Sequence, residues 1–103
     1  MDVVRVCFWL FENASIANSA IYNLGTGEAR TFNDLVKATF TSMSLEPQIR
    51  YIEIPEDIRE TYQYHTEAAM SKLRLAGYTA AFYTLEEGIA DYVNNYLIPS
   101  RYF

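Results

Sequence analysis

One cysteine, one histidine and only eight basic residues in 103 remove several kinds of protein at the outset. A lone cysteine excludes an internal disulfide, and Cys7 stands in an apolar run, where a buried, inert thiol is the expectation. A single histidine, His65, cannot build a histidine-rich metal site, and no Cys/His/Asp cluster has ligand spacing. Thirteen acids against eight bases give a net charge of −5, which argues against nucleic acid or an anionic membrane as partner. No apolar run approaches the ~20 residues of a membrane span. The stretch VCFWLF at 6–11 is too short for a signal peptide and is flanked by Asp2 and Glu12. Asn13-Ala14-Ser15 fits a glycosylation sequon by chance, and the cytoplasm is the default compartment.

Apolar and aromatic residues are plentiful. Half the chain is apolar, with nine tyrosines and six phenylalanines, so a folded single small domain is expected. Residues 2–12, DVVRVCFWLFE, predict a helix that is apolar nearly all round: Val3, Val4, Cys7, Phe8 and Phe11 on one side, Val6, Trp9 and Leu10 on the other. Asn13 to Asn18 reads as a polar connection and Ala20 to Leu24 as a short strand. Gly25-Thr26-Gly27 reads as a turn. Thr31 is an N-cap with Asp34 three residues on, followed by Phe32, Leu35, Val36, Phe40 and Met43 at helical spacing. Pro47 is a break, and IRYIEI at 49–54 alternates like a second strand. Strand, helix, strand predicts an α/β fold: a small parallel βαβ unit with additional helices. Residues 55–66 are irregular and polar. Thr66 opens a helix through Leu75 with Gly77 as its stop, and Thr84-Leu85-Glu86-Glu87 is a capping box for a last helix ended by Pro99.

The glycine turn invites comparison with a dinucleotide loop, and the comparison fails. The fingerprint G-x-G-x-x-G needs a third small residue where this chain has Arg30, and a helix start earlier than Thr31. A phosphate loop G-x-x-x-x-G-K-[ST] is missing, as are a Ser-His-Asp arrangement and a Tyr-x-x-x-Lys pair. The reading left is a tight turn whose glycines supply positive φ.

The order of segments carries further. DVVRVCFWLFEN, IYNLGTGEARTFNDLVKATF, YIEIPEDIRETYQYHTEAAMSKLRLAGY and TLEEGIADYVNNYL together resemble the C-terminal, substrate-binding portion of extended short-chain dehydrogenase/reductase sugar-nucleotide epimerases. Within them the match points to the ADP-glyceromanno-heptose 6-epimerase branch. The resemblance implies a parent that holds NADP in a preceding Rossmann domain, inverts C6 of ADP-heptose by transient oxidation and serves lipopolysaccharide core synthesis. It implies that these residues are a fragment without the cofactor loop and catalytic pair, inactive alone, for which an ADP-sugar is the ligand. It places a substrate-contacting tyrosine in RETYQYHT, by position Tyr62, with Arg59 as a diphosphate partner and Gln63 and His65 as further candidates. A ring that packs on base or ribose and a hydroxyl that bonds an oxygen suit that task. The apolar first helix then expects cover from a larger domain. Uncovered, it would leave Val6, Trp9 and Leu10 bare, so a homo-oligomer through residues 2–12 is expected. A non-enzymatic module acting by self-association, or by pairing with a full-length epimerase, is the second reading.

Overall fold

The computed structural model describes residues 1–17 and 20–101, with Ile16 and Ala17 described by their backbone alone. It is helical. Helix α1 spans Asp2–Glu12, α2 Ala14–Ala17, α3 Phe32–Ser42, α4 Glu56–Arg59, α5 Ser71–Leu75 and α6 Leu85–Tyr92, and α6 runs on into a π-helical turn at Val93–Leu97. The chain divides into two compact units. Unit 1 comprises Met1–Glu28 and Glu67–Tyr83; unit 2 comprises Ala29–Thr66 and Thr84–Phe103.

The expected βαβ unit is not there: among the described residues there is no strand. Both segments read as strands lie outside the helices, but neither pairs in a ladder. The segment at 20–24 falls in unit 1 and that at 49–54 in unit 2. Alternating apolar residues favour a strand only when a neighbour takes the backbone N–H and C=O groups. In IRYIEI the burial does not alternate either. Ile49 and Ile54 are half-buried, whereas Tyr51 and Ile52 are 75% and 78% exposed.

Unit 1 is built around Val6, Met70, Leu73 and Tyr78, with Trp9, Leu10, Tyr22, Leu24, Ala68 and Phe82 packed against them. Helix α1 therefore turns Val6 (2% exposed), Trp9 and Leu10 inward, the reverse of the expected bare side. Its opposite side carries Val3, Val4, Phe8 and Phe11 exposed. Cys7 shares that side and is exposed as well, so the expected burial of its thiol is overturned: it sits about 100° around the helix from Val6. The first turn is tied down by Asp2, whose Oδ2 accepts from the Tyr83 N–H at 2.9 Å.

The polar connection after α1 contains the short α2; its last residue in the sequence reading, Asn18, lies outside the described residues. Helix α5 begins at Ser71, not at Thr66, because residues 66–70 run outside any helix to place Ala68 and Met70 on the glycine turn. Gly77 ends α5 as expected. Its φ of +111° lets its N–H reach the Arg74 carbonyl at 3.0 Å, while the Tyr78 N–H reaches Leu73 O at 3.3 Å. That is the Schellman pattern, and its apolar pair, Leu73 with Tyr78, belongs to the core.

In unit 2, α3 and α6 pack together, burying Ala38 and Val93. Each begins with a complete capping box. The Asp34 N–H donates to Thr31 Oγ1 and the Thr31 N–H to Asp34 Oδ2, both at 3.1 Å. Glu87 and Thr84 exchange the equivalent pair at 3.2 and 2.8 Å. The π turn shows in i→i+5 bonds, from the Ile98 N–H to Val93 O and from the Arg101 N–H to Tyr96 O, both 2.9 Å.

Candidate functional site

The residues singled out from RETYQYHT all lie in unit 2, in and after α4. Pro55 precedes α4 with φ −53° and ψ 141°, which fixes the chain's entry into this single turn. After the turn the Thr61 N–H bonds back to Ile58 O at 3.2 Å, and the chain continues as irregular backbone. Tyr62 and Tyr64, two residues apart, meet edge to face with centroids 5.2 Å apart. Tyr62 also leans on Phe32, the first residue of α3, at 6.4 Å and 45°. Tyr62 is half-buried between rings that are themselves largely exposed, Phe32 at 69% and Tyr64 at 76%. The result is a small aromatic platform open to solvent. Such a surface offers π faces and edges to a planar ring, and a phenolic oxygen that can donate or accept.

The other candidates stand around it with partners of their own. Arg59 donates from Nη2 to the Ile54 carbonyl at 3.3 Å, and among the described residues it forms no salt bridge with Glu56 or Glu60. Its guanidinium is exposed, with donors left for an anion. Gln63 accepts from Thr66 Oγ1 at 3.4 Å through its amide oxygen, and His65 is exposed. Phe32 and Tyr64 were missed by the sequence reading. The Tyr-x-Tyr spacing could have flagged Tyr64, since alternate residues of an extended chain share a side; the Phe32 contact is long-range and left no local signal.

A separate groove of about 540 Å³ runs between α3 and α6, edged by Asp34, Lys37, Thr41, Glu86 and Asn94. None of the four candidates lines it. At its rim Arg30 donates through both terminal nitrogens to Glu86 and through Nε to Asp34 at 3.5 Å. The Arg30 hydrogen bond holds the Glu86 carboxyl below its ordinary value, and the backbone bond from Thr31 does most to lower Asp34. Glu86 in turn raises Arg30. This network is a stabilising strap between helix N-termini, where carboxylates also suit the helix dipoles.

The glycine turn does not fit a nicotinamide dinucleotide. A cradle needs open space above its glycines, and here that space is filled. A Cβ on Gly25 would stand 2.8 Å from Ala68 Cβ, and one on Gly27 3.2 Å from Met70 Cγ. The N-terminus of the following helix is taken by the Thr31–Asp34 box, whose carboxylate would oppose a phosphate. Among the described residues no three His, Cys, Asp or Glu side chains converge on a metal position, and no helix is long and apolar enough to cross a membrane.

No protein-family model matches the chain. Curated proteins do. An ADP-L-glycero-D-manno-heptose-6-epimerase of Nitratidesulfovibrio vulgaris (strain DP4) is 49% identical over 99% of this chain, which spans 31% of that protein. Proteins of the same name from Fusobacterium nucleatum and Thiobacillus denitrificans are 45% and 36% identical over 93% of the chain, or 30% and 32% of their own lengths. Along nearly its whole length, therefore, the chain resembles one segment, a little under a third, of the ADP-L-glycero-D-manno-heptose-6-epimerases.

Proposed function

We propose that these residues form part of the nucleotide-sugar site of an ADP-heptose 6-epimerase-type enzyme, and that the chain by itself recognises the ADP moiety without turning over a sugar. The observation that carries this reading is 45–49% identity, across at least 93% of the chain, to proteins bearing that name. Tyr62 supplies a ring face and hydroxyl, Arg59 a free guanidinium edge for the diphosphate, and Gln63 and His65 polar edges beside them. In this reading the hydride chemistry uses NADP held by the remainder of a longer enzyme, because the glycine turn here is filled by its own chain. The enzyme works in the cytoplasm on a precursor of lipopolysaccharide. Copies of the free chain associate through residues 2–12, whose outer side is apolar.

Calorimetric titration with ADP tests the central claim. Saturable, weak binding is expected, because the platform is open and walls only one side of a ligand. Tyr62→Ala should abolish it, with roughly 1–3 kcal/mol lost by analogy with stacking of bases on aromatic side chains. Binding untouched by Tyr62→Ala, or no heat from folded protein, overturns the assignment.

A further inference from the structure

We propose that Phe32 is a positioning residue for the candidate site: it acts through Tyr62, holding that ring at the angle at which a nucleotide meets it. The proposal rests on the ADP reading above and adds to it a residue from a different element. Phe32 is apolar, opens α3 and is 69% exposed, so it does not serve the packing of its own helix. It stands six residues before the buried Ala38, about 120° around the helix from the side that α3 packs against α6. The ring it meets is Tyr62, with centroids 6.4 Å apart and planes at 45°. That separation lies within the range at which aromatic pairs attract.

The two rings are held unequally. Phe32 directly follows Thr31. The hydrogen bonds exchanged by Thr31 and Asp34, both 3.1 Å, fix the backbone of the first turn and with it the direction in which the Phe32 side chain leaves α3. Tyr62 stands on irregular backbone after α4, where neither helix nor ladder sets its direction. Its other ring neighbour, Tyr64, belongs to the same stretch and is 76% exposed, so it offers no anchor outside that stretch. Phe32 is therefore the contact that ties Tyr62 to a capped helix. A ring ordered before the ligand arrives spares binding the cost of ordering it, and that cost sets the size of the effect.

Calorimetric titration of the chain with ADP, repeated for Phe32→Leu and Phe32→Tyr, tests the role, together with thermal melts and NMR of the tyrosine ring protons in the ligand-free protein. Leucine is a good helix former and keeps an exposed position apolar, so Tm should stay where it is. Loss of the ring should shift the Tyr62 resonances and raise the Kd for ADP roughly three- to tenfold. Phe32→Tyr keeps the ring and should keep the original Kd. A Kd unchanged in Phe32→Leu, or Tyr62 resonances that do not move, overturns the positioning role and leaves the ADP reading standing. A Kd and Tm that fall off together in both variants show a merely structural residue and overturn it as well. Ring protons of Phe32 that show direct NMR contacts to bound ADP make it a ligand residue and overturn its indirect action. No ADP binding by the unaltered chain overturns the ADP reading itself, and this role with it.

Discussion

Replacing Gly25 by alanine should destabilise unit 1 by steric overlap alone. The added methyl would stand 2.8 Å from Ala68 Cβ. Carbons in contact sit roughly 3.5–4.0 Å apart, so the overlap is about 0.7 Å or more. Ala68 has no flexible tip to swing away, so relief requires backbone movement at 24–26 or 67–69. Overpacking of this kind costs about 1–3 kcal/mol. Gly25 is not in the left-handed region, so alanine adds no backbone strain. It even recovers roughly 0.4–1 kcal/mol by restricting the unfolded chain. A net loss of about 1–2 kcal/mol is expected, read as a drop of roughly 4–8 °C in Tm per kcal/mol in a thermal melt. Pairing Gly25→Ala with Ala68→Gly moves the methyl from one side of the contact to the other, and the double-mutant cycle should show a coupling of about 1 kcal/mol or more. Gly27→Ala behaves differently. Its φ of +79° adds left-handed strain of about 1–2 kcal/mol, which trimming Met70 cannot remove. The reasoning is refuted if Gly25→Ala leaves Tm unchanged and instead weakens ADP binding. That result would give the glycine to a ligand and not to Ala68.

Two further predictions follow from the same packing and charge pattern. Leu73→Ala, at 1% exposure in the centre of unit 1, should cost about 2–5 kcal/mol by urea unfolding; a loss under about 1 kcal/mol would show that the site collapses freely. Stability should also fall with acid. Asp34 and Glu86 are held below their ordinary values of 3.8 and 4.5, so their contribution is complete above those values and is lost as pH drops through the lower folded ones. Glu86→Gln should flatten the decline in urea midpoint between about pH 5 and about pH 3, and an unchanged slope would dismiss the Arg30 strap.

What could be read from the sequence were the features whose physics is local. Thr31 with Asp34, Thr84 with Glu87, and Gly77 each solve a helix-end hydrogen-bonding problem within four residues, and each is found where the spacing put it. The strands were misread because neither a short apolar run at 20–24 nor alternation at 49–54 says whether a partner strand exists. The inward side of α1 was unreadable for a related reason. With apolar residues all round, the core partners Met70, Leu73 and Tyr78, far along the chain, decide that Val6 is covered and Cys7 is not. At the candidate site, Tyr62 came from resemblance and Tyr64 lay within reach of local spacing. Phe32 reaches the platform only through tertiary packing.

The two units share the chain in alternation: 1–28, then 29–66, then 67–83, then 84–103. The consequence is temporal. As this stretch leaves the ribosome, Val6 and Trp9 emerge well before Met70, Leu73 and Tyr78, which cover them and arrive only after the first stretch of unit 2 has been made. At roughly 5–20 residues per second, α1 waits several seconds with its core side uncovered. Through that interval the growing chain is most open to capture by a chaperone or by a neighbouring nascent copy.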